Sequence, residues 1–530
     1  MNTTLQSPPN TTIIKSSRMG LRNTKPSAVL FHAWIWALAA FLFQGISARA
    51  DVRLHGLFND HMVLQQGIPV AIWGWADEGE PVRVEFRGQS VETKSTEGRW
   101  MVHLNALKAG GPDVLKVTGK NVVQIDDVLV GEVWICSGQS NMEWPLTRSF
   151  DHEQTIATSE NSMLRLLTVK KSKAAKPASD VEARWEISGP ETTGNFSAVG
   201  YFFGRDLQKS LGVPVGLIHT SWGGSPAEVW MSEQTLEGNS RYRAEILETY
   251  QTSVTRYEEA LTKFDAEQKA LASKGETSDA KRPNGPYWKP SELYNGMIAP
   301  LIPFGIKGAI WYQGESNAGR AHQYRTLFPD MIRNWRRDWG LGDFPFLAVQ
   351  LAPFMKIKLE PGESSWAELR EAQLLATQIL PKVGLAVITD VGEQDDIHPK
   401  KKEPVGARLA VAARGIAYGQ KIVYSGPVYT GMRVRDNRII LSFEHTGSGL
   451  EARGDELTGF TIAGADHRFV PATARIRNHR VVVRSPDVTE PVAVRFGWAD
   501  YPVVNLWNRE GLPATPFRTD DFPMITAPKH

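Results

Sequence analysis

Apolar and polar residues alternate in short runs between residue 51 and about residue 125. Residues 82–86 and 115–118 are examples, and Gly and Asp residues separate such runs. Alternation with a period of two is typical of strands that bury one face, and the intervening residues favour turns. The pattern predicts a small N-terminal β domain over residues 51–125.

The pattern changes after residue 125, where the strand-like runs become largely apolar. Such runs are typical of parallel strands that are buried on both faces. They comprise residues 128–135, 215–218, 306–311, 346–349 and 383–388. Helical patterns, for example residues 368–380, lie between them. The alternation of strands and helices predicts a layered α/β core over residues 126–415.

Short strand patterns return in the last part of the chain. Residues 438–443, 480–483 and 493–496 are rich in Val, Ile and Phe. We expect these runs to form strands, since such residues are enriched in sheets. The pattern predicts a second β domain over residues 416–530.

One segment of the α/β region has a different periodicity. From Ile246 to Leu271, apolar residues recur at steps of mostly three or four, with charged residues on the other faces. This predicts a long amphipathic helix that ends near Gly275, within an insertion of about residues 235–285. We expect the helix to pack on its own domain, and binding of a partner is the alternative.

The N-terminal 50 residues have the features of a signal peptide. A basic region is followed by an apolar stretch at residues 28–43 and by Ala48-Arg49-Ala50. Small residues at these two positions are those that a signal peptidase recognises, so cleavage before Asp51 is expected. The alternative, a membrane anchor, is disfavoured because the stretch is short and contains His32. We therefore expect export, to a periplasm or the extracellular space, with no stable membrane insertion.

Composition excludes several classes of function. The formal net charge is +2 over 530 residues, which provides no strong field for binding nucleic acid. Cys136 is the sole cysteine, so no intramolecular disulfide can form. The sequence lacks paired His spacings and His-Glu-x-x-His, so we expect neither a metal site nor a cofactor. The 17 Trp residues suit either buried cores or stacking on sugars.

Three Gly-x-Ser sequences follow predicted strands and offer candidate nucleophiles. Their serines are Ser140, Ser225 and Ser316. A glycine allows a sharp turn, and a helix that starts after it supplies free N–H groups for a developing oxyanion. Pro226 lacks such an N–H and counts against Ser225. Spacing alone leaves Ser140 and Ser316 as alternatives.

His398 is the best candidate for the general base. It follows Asp395 and Asp396, whose carboxylates can orient an imidazole and stabilise its charged form. A metal site built from the same residues is disfavoured by the lack of a second histidine at ligand spacing. An acidic surface loop without a catalytic role is the other interpretation of this segment.

Longer motifs, in a consistent order, resemble the sialate O-acetylesterase family within the SGNH hydrolases. They span most of the chain after residue 50. The matching segments are residues 62–66, 73–75, 131–144, 221–230, 293–301, 311–317, 396–399, 505–508 and 511–519. The resemblance implies an SGNH-type three-layer α/β/α hydrolase domain flanked by N- and C-terminal β-sandwich-like domains.

The resemblance also implies roles for individual residues. Ser140 would be the nucleophile and His398 the base, with Asp395 three positions before it as the orienting acid; Asp396 and Asp390 stay open.

An oxyanion hole is implied as well. It would combine the Ser140 N–H, the N–H of Gly223 or Gly224, and a side-chain amide from Gln313 or Asn317. Gln313 is favoured because it lies nearer the strand end.

These inferences predict an enzyme that removes acetyl groups from carbohydrates through an acetyl-enzyme intermediate. The expected substrate is an O-acetylated sialic acid or glycan, and acetylated xylan or another hemicellulose is the alternative. A glycoside hydrolase would instead need paired carboxylates, for which Glu143, Glu228 and Glu315 are available. A sugar-binding protein without activity is the third class.

Overall fold

The computed structural model describes residues 51–528, so the predicted signal peptide lies outside the described residues. Within this range, none of the helices combines the length and the apolar composition that crossing a bilayer requires.

The first part of the described chain consists of strands, as its alternating pattern predicts. In β6, for example, exposed and buried residues alternate over all positions. The strands are β1 (Arg53–Leu54), β2 (Val63–Gln65), β3 (Val70–Trp75), β4 (Pro81–Phe86), β5 (Gln89–Lys94), β6 (Arg99–Leu104), β7 (Gly110–Thr118) and β8 (Val122–Gly138).

The 17-residue strand β8 pairs with two groups of strands. Its first half pairs antiparallel with β7, and its second half enters a central parallel sheet. The boundary predicted between residues 125 and 126 therefore falls inside one continuous strand. This is possible because one long strand can pair with different neighbours along its length.

The central sheet follows from the largely apolar runs. Besides β8, its strands are β9 (Asn161–Thr168), β10 (Trp185–Ser188), β11 (Val215–Ser221), β12 (Gly308–Tyr312), β13 (Phe346–Val349) and β14 (Val383–Ala386). Their order is β10-β9-β11-β8-β12-β13-β14, and between neighbours in this order the β10–β9 pairing is antiparallel and the others are parallel. The predicted α/β class is confirmed.

Helices lie between these strands. The α-helices are α1 (Ser140–Glu143), α2 (His152–Ala157), α3 (Ala198–Leu211), α4 (Glu233–Glu237), α5 (Ser240–Tyr242), α6 (Thr249–Ser273), α7 (Ala321–Trp339), α8 (Ser365–Ile379) and α9 (Glu403–Ile416). Shorter 3-10 or π-helical segments are Leu146–Arg148, Thr193–Asn195, Ala227–Trp230, Arg243–Glu248, Tyr294–Ile298, Ala299–Leu301 and Glu315–Arg320.

Each face of the central sheet has its own apolar core. Val133 and Ile135 of β8 belong to a cluster that includes residues of α7 and α8. Trp134 and Cys136, which point the other way, belong to a cluster with residues of α3 and α9. Because successive strand residues alternate between faces, a fully apolar strand needs apolar partners on both sides.

Ser197 connects the start of α3 to the segment after β8. Its hydroxyl oxygen accepts the Gly200 N–H, as a helix N-cap does, and its O–H donates to the Met142 carbonyl at 2.6 Å. One side chain thus caps α3 and fixes the position of α1.

The amphipathic helix predicted in the insertion is α6. None of its 25 residues is buried, and Val254, Tyr257, Leu261 and Phe264 are only half-buried. The segment that follows the helix provides a contact, an ion pair between Arg282 and Asp265 at 3.3 Å. The expected packing of this helix on its own domain is therefore slight.

Strands return after α9, as the sequence predicts, around a separate apolar core. They are β15 (Val428–Arg435), β16 (Arg438–Glu444), β17 (Leu450–Ala452), β18 (Phe460–Ala463), β19 (Val470–Pro471), β20 (Thr473–Arg477), β21 (Arg480–Arg484), β22 (Ala493–Phe496), β23 (Leu506–Asn508) and β24 (Phe517–Arg518). Arg370 of α8 donates to the carbonyls of Ala499 and Asp500, which ties this region to the central one. Asp51–His530 forms one compact unit.

Candidate active site

The turn after β8 presents Ser140 at the carboxyl edge of the central sheet. Gly138 has φ +138°, and a Cβ added there would come within 2.2 Å of the Tyr312 carbonyl oxygen. Only glycine fits this turn, because of both its φ and its neighbour. Ser140 is the first residue of α1, so its N–H has no partner within the helix.

His398 meets Ser140 from the opposite end of the chain. Its Nε2 lies 2.8 Å from Ser140 Oγ, although 258 positions separate the two residues. His398 lies in the loop between β14 and α9, at the same edge of the sheet. Its side chain is 28% exposed, so the pair is open to a ligand. The structure therefore brings the expected nucleophile and base together.

Asp396, rather than Asp395, is the carboxylate beside His398. Asp396 Oδ1 accepts a hydrogen bond of 2.8 Å from the backbone N–H of His398. The same oxygen lies 3.4 Å from Nδ1 of the His398 imidazole. Asp395 is exposed and forms no hydrogen bond or ion pair within residues 51–528. A carboxylate two positions before a residue readily turns back to that residue's backbone N–H, and this turn brings Asp396 to the ring.

The third candidate acid, Asp390, forms an ion pair with Arg408 instead. Both of its carboxylate oxygens accept hydrogen bonds from Arg408, at 2.6 and 2.7 Å. This bidentate pair joins the end of the central sheet to α9. Asp390 is thus paired with an arginine and does not contact the His398 ring by a hydrogen bond or ion pair within the described residues.

The surroundings of His398 favour its neutral form. Partial burial and the positive charge of Lys402 lower the pKa of the imidazole, while Asp396 opposes this shift. Trp144 stacks on the ring, with centroids 5.1 Å apart and an interplanar angle of 19°. Arg148 lies 4.1 Å from the centroid of the same Trp144 ring and also lowers the His398 pKa.

Gly223, the first of the two glycines after β11, lies beside Ser140. A Cβ added at Gly223 would be 3.2 Å from the Ser140 Cβ, so the backbone approaches closely here. The Gly223 N–H donates to Glu143 Oε2 at 2.5 Å, and Lys171 donates to the other oxygen of that carboxylate. Gly224 is exposed, with φ +76°. The structure thus brings Gly223 close to Ser140, but its N–H already donates to a carboxylate oxygen.

The side-chain amides expected in the oxyanion hole form hydrogen bonds with residues other than Ser140. Gln313 Nε2 donates to Asn317 Oδ1 at 2.6 Å and to the Ser225 carbonyl at 3.3 Å. Asn317 Nδ2 donates to Glu228 Oε2 at 3.0 Å. Both residues are at most 1% exposed. In the part of the chain that the structure describes, neither amide donates to Ser140, and the two stabilise the loop after β12 instead.

The other two Gly-x-Ser serines have different surroundings. Ser225 is buried, and its Oγ accepts the Trp230 indole N–H. Ser316 is exposed, and its N–H donates to Gln139 Oε1 at 3.3 Å. Between residues 51 and 528, no imidazole forms a hydrogen bond with either hydroxyl, so among the three Gly-x-Ser serines Ser140 is the one that contacts a histidine.

The three glutamates near the motifs are each bound to a different partner. Glu143 pairs with Lys171, Glu228 pairs with Arg320, and Glu315 accepts from Asn141. These contacts give each carboxylate a structural role in the loops at this edge of the sheet. The described residues contain no group of three or more His, Cys, Asp or Glu side chains that could hold a metal ion.

Sequence reasoning missed several residues at this site. Gln139 joins the nucleophile turn to the loop after β12, because its Oε1 faces the N–H groups of Gly314 and Ser316. Asn141 and Lys402 are both buried, and the Lys402 ammonium group donates a hydrogen bond to the Asn141 side-chain oxygen. Lys402 ends a run of three lysines, which indicates a solvated surface and gives no signal of burial.

A serine hydroxyl bound by an imidazole at the carboxyl edge of a parallel sheet is the arrangement of a serine-type ester hydrolase. The fold and the site therefore define the class of this enzyme as a serine-type ester hydrolase.

Similarity to known proteins identifies the kind of ester hydrolase. The family model described as carbohydrate esterase, sialic acid-specific acetylesterase matches residues 130–289 and 283–414. The chain is 29% identical to the sialate O-acetylesterase of Mus musculus over 513 residues, which cover 88% of this chain and 94% of the mouse protein. With the sialate O-acetylesterase of Homo sapiens the identity is 28%, covering 91% of this chain and 95% of the human one.

A solved structure is similar as well. The carbohydrate acetylesterase from Xanthomonas citri is 41% identical, with a TM-score of 0.78, and the match covers 89% of this chain and all of that one. The chain belongs to the sialic acid-specific acetylesterase family of carbohydrate esterases.

Proposed function

We propose that the protein removes O-acetyl groups from carbohydrates, with Ser140 as the nucleophile and His398 as the base. The observation that carries this proposal is the 2.8 Å contact between Ser140 Oγ and His398 Nε2. Family membership supports the same chemistry. We also infer an SGNH-type three-layer core, flanked by β-sandwich-like domains at residues 51–125 and 416–530, in an exported protein.

The reaction proceeds in two steps. Ser140 Oγ attacks the acetyl carbonyl carbon while His398 Nε2 takes the hydroxyl proton. The imidazolium then protonates the sugar oxygen as its bond to the acetyl carbon breaks. In the second step His398 activates water, which attacks the acetyl-enzyme and releases acetate and Ser140. Asp396 Oδ1, 3.4 Å from Nδ1, stabilises the imidazolium in both steps.

We assign the oxyanion donors to the backbone. The Ser140 N–H is free at the start of α1, and the Gly223 N–H lies beside the nucleophile. In the structure, the Gly223 N–H donates to the negatively charged Glu143 Oε2. In the transition state the oxyanion would replace this carboxylate oxygen as the acceptor, while Glu143 stays paired with Lys171. Each such donor is worth about 3 kcal/mol of transition-state stabilisation.

The expected substrate is an O-acetylated sialic acid. The family model and the mouse and human relatives carry that name, which favours it over acetylated xylan. Acetate release should be measured across O-acetylated sialic acids, acetylated xylan and simple sugar acetates. The highest kcat/KM is expected for a sialic acid ester. Equal or higher values for xylan would transfer the assignment to hemicellulose, and no release from any sugar would contradict the proposal.

The pH dependence should follow His398. Because burial and Lys402 lower its pKa, the acid limb of kcat/KM should lie below the ordinary imidazole value of 6.5. The neutral ring is the active form, so activity falls as the pH drops through the lowered pKa and is constant just above it. A pH profile with an aryl acetate checks this. A midpoint above 6.5 would contradict it.

The two neighbouring aspartates should differ in importance. Asp396→Asn removes the charge beside Nδ1 and should lower kcat by up to about 10⁴-fold, with little change in KM. Asp395→Asn is the matched control and should retain the activity of the wild type, because Asp395 is exposed and makes no contact with the ring. The reverse order of effects would restore Asp395 as the orienting acid.

A further inference from the structure

A buried chain of polar side chains joins the loops that carry Ser140 and His398. Lys402 Nζ donates to Asn141 Oδ1 at 2.5 Å, and Asn141 Nδ2 donates to Glu315 Oε1 at 2.6 Å. Lys402 and Asn141 are each 1% exposed, and the Glu315 Oε2 atom is buried. One amide thus connects an ammonium group to a carboxylate inside the protein. We refer to Lys402, Asn141 and Glu315 as the buried bridge.

We propose that the buried bridge holds the Ser140 hydroxyl against the His398 imidazole, and that Lys402 and Glu315 are positioning residues for ester hydrolysis. The proposal rests on the function proposed above, because it assigns these residues to the same reaction. Neither Lys402 nor Glu315 contacts Ser140 or His398 by a hydrogen bond within residues 51–528, so each acts through Asn141.

The geometry supports this role. Asn141 directly follows Ser140 in α1, and its Nδ2 also donates at 3.0 Å to the carbonyl of Ile397, the residue before His398. A residue adjacent to Ser140 is therefore hydrogen-bonded to the residue adjacent to His398. Loss of this contact would let the two loops separate, and displacements of about 1 Å cost up to about 100-fold in rate.

The energetics also favour a functional role. Burying an ammonium and a carboxylate is costly even when the two are paired, and apolar side chains of similar volume often stabilise a core as well or better. Lys400 and Lys401, which precede Lys402, are exposed. A lysine directed into the protein at this position is therefore better explained by the site than by stability.

The charge of Lys402 acts on His398 as well. Burial lowers the pKa of Lys402 to about 7, while nearby carboxylates oppose this shift. Burial also raises the pKa of Glu315. Below neutral pH the ammonium group lowers the pKa of His398 and so keeps the base unprotonated. The charged groups that act on this pair from the surrounding segments are Glu315, Glu393, Asp396 and Arg148.

The test replaces Lys402 by methionine, which has similar length and no charge. Lys402→Met should lower kcat on an aryl acetate by about tenfold or more with KM nearly unchanged, because the nucleophile and base lose their alignment. The acid limb of the pH profile should move up by about half a unit or more, because His398 loses a neighbouring cation. The matched control, Lys400→Met, changes an exposed side chain and should retain both wild-type values.

A second readout does not require activity. The titration of His398, followed by NMR and assigned through its absence in His398→Asn, should shift to higher pH in Lys402→Met. If the wild type releases no acetate, the proposed function fails, while this titration still decides the role of Lys402. A folded Lys402→Met protein with wild-type kcat and an unshifted titration would overturn the proposal.

A third variant covers the case in which Lys402→Met does not fold. Glu315→Gln keeps an oxygen that accepts from Asn141 and removes only the charge, so it should fold and lower kcat by about fivefold or more. Wild-type kcat in Glu315→Gln would then overturn the proposal. Where both single variants fold, the double variant should lose less activity than the product of the two losses, because the residues act as one unit. Fully multiplicative losses would contradict a shared role.

Discussion

Ser140→Ala should reduce acetate release from a small aryl acetate by about 10⁴-fold or more, which leaves only the residual catalysis that the oxyanion donors and substrate binding supply. In the proposed mechanism, the substitution removes the oxygen that attacks the acetyl carbon. The fold should be preserved, because Ser140 is half-buried and its hydroxyl contacts only His398 among the described residues. Stopped or continuous assays of the purified variant, with melting temperatures for comparison, check this result.

Ser316→Ala is the matched control for Ser140→Ala. Ser316 also follows a Gly-x pair at the same edge of the sheet, but it is exposed and no imidazole of the described residues bonds its hydroxyl. This variant should retain wild-type kcat and KM. If Ser316→Ala were inactive and Ser140→Ala active, the nucleophile would be reassigned to Ser316.

Replacing His398 by alanine should cause a loss of kcat comparable to that of Ser140→Ala. Without the imidazole, the hydroxyl has no base at 2.8 Å to take its proton and no acid to protonate the leaving oxygen. Because the two residues act as a unit, the double variant should be about as inactive as either single variant. Steady-state kinetics of the three variants on one aryl acetate measures this.

The control for His398→Ala is His103→Ala, which changes an exposed histidine on β6 and should leave kcat unchanged. Losses from Ser140→Ala and His398→Ala that multiply in the double variant would show that the residues act independently. Such a result would contradict the shared proton transfer that the structure indicates.

The strands of the central sheet could be predicted because their pattern is strong. Fully apolar runs such as residues 215–218 have no polar face, so they fit only a strand buried on both sides, and β11 is that strand. The boundary near residue 125 could not be predicted well. Nothing in the local pattern shows that β8 continues from one group of strands into the next.

The pairing of Ser140 with His398 could be inferred only through the resemblance. Gly-x-Ser occurs three times, and distances between residues 258 positions apart cannot be obtained from spacing. The choice between Asp395 and Asp396 depends on a single turn of the backbone, which rotates one carboxylate toward the ring and leaves the other in solvent.

The polar residues behind the site were the hardest to predict. The family resemblance implies a side-chain amide in the oxyanion hole, for which Gln313 or Asn317 is expected. In the structure, Gln313 donates to the Ser225 carbonyl and Asn317 donates to the Glu228 carboxylate. These contacts depend on other loops, which the local sequence does not reveal. Burial of Lys402 likewise arises from tertiary packing, because charge runs in sequence are usually solvated.

The acetyl-enzyme is the most direct test of the account. The protein should be mixed with an O-acetylated sugar, quenched in acid during turnover, digested and analysed by mass spectrometry. We expect one acetyl group on the peptide that contains Ser140, and none in Ser140→Ala treated in the same way. An acetyl group on a different serine, or acetate release without any acetylated peptide in a rapid-quench series, would contradict the assignment of Ser140 as the nucleophile.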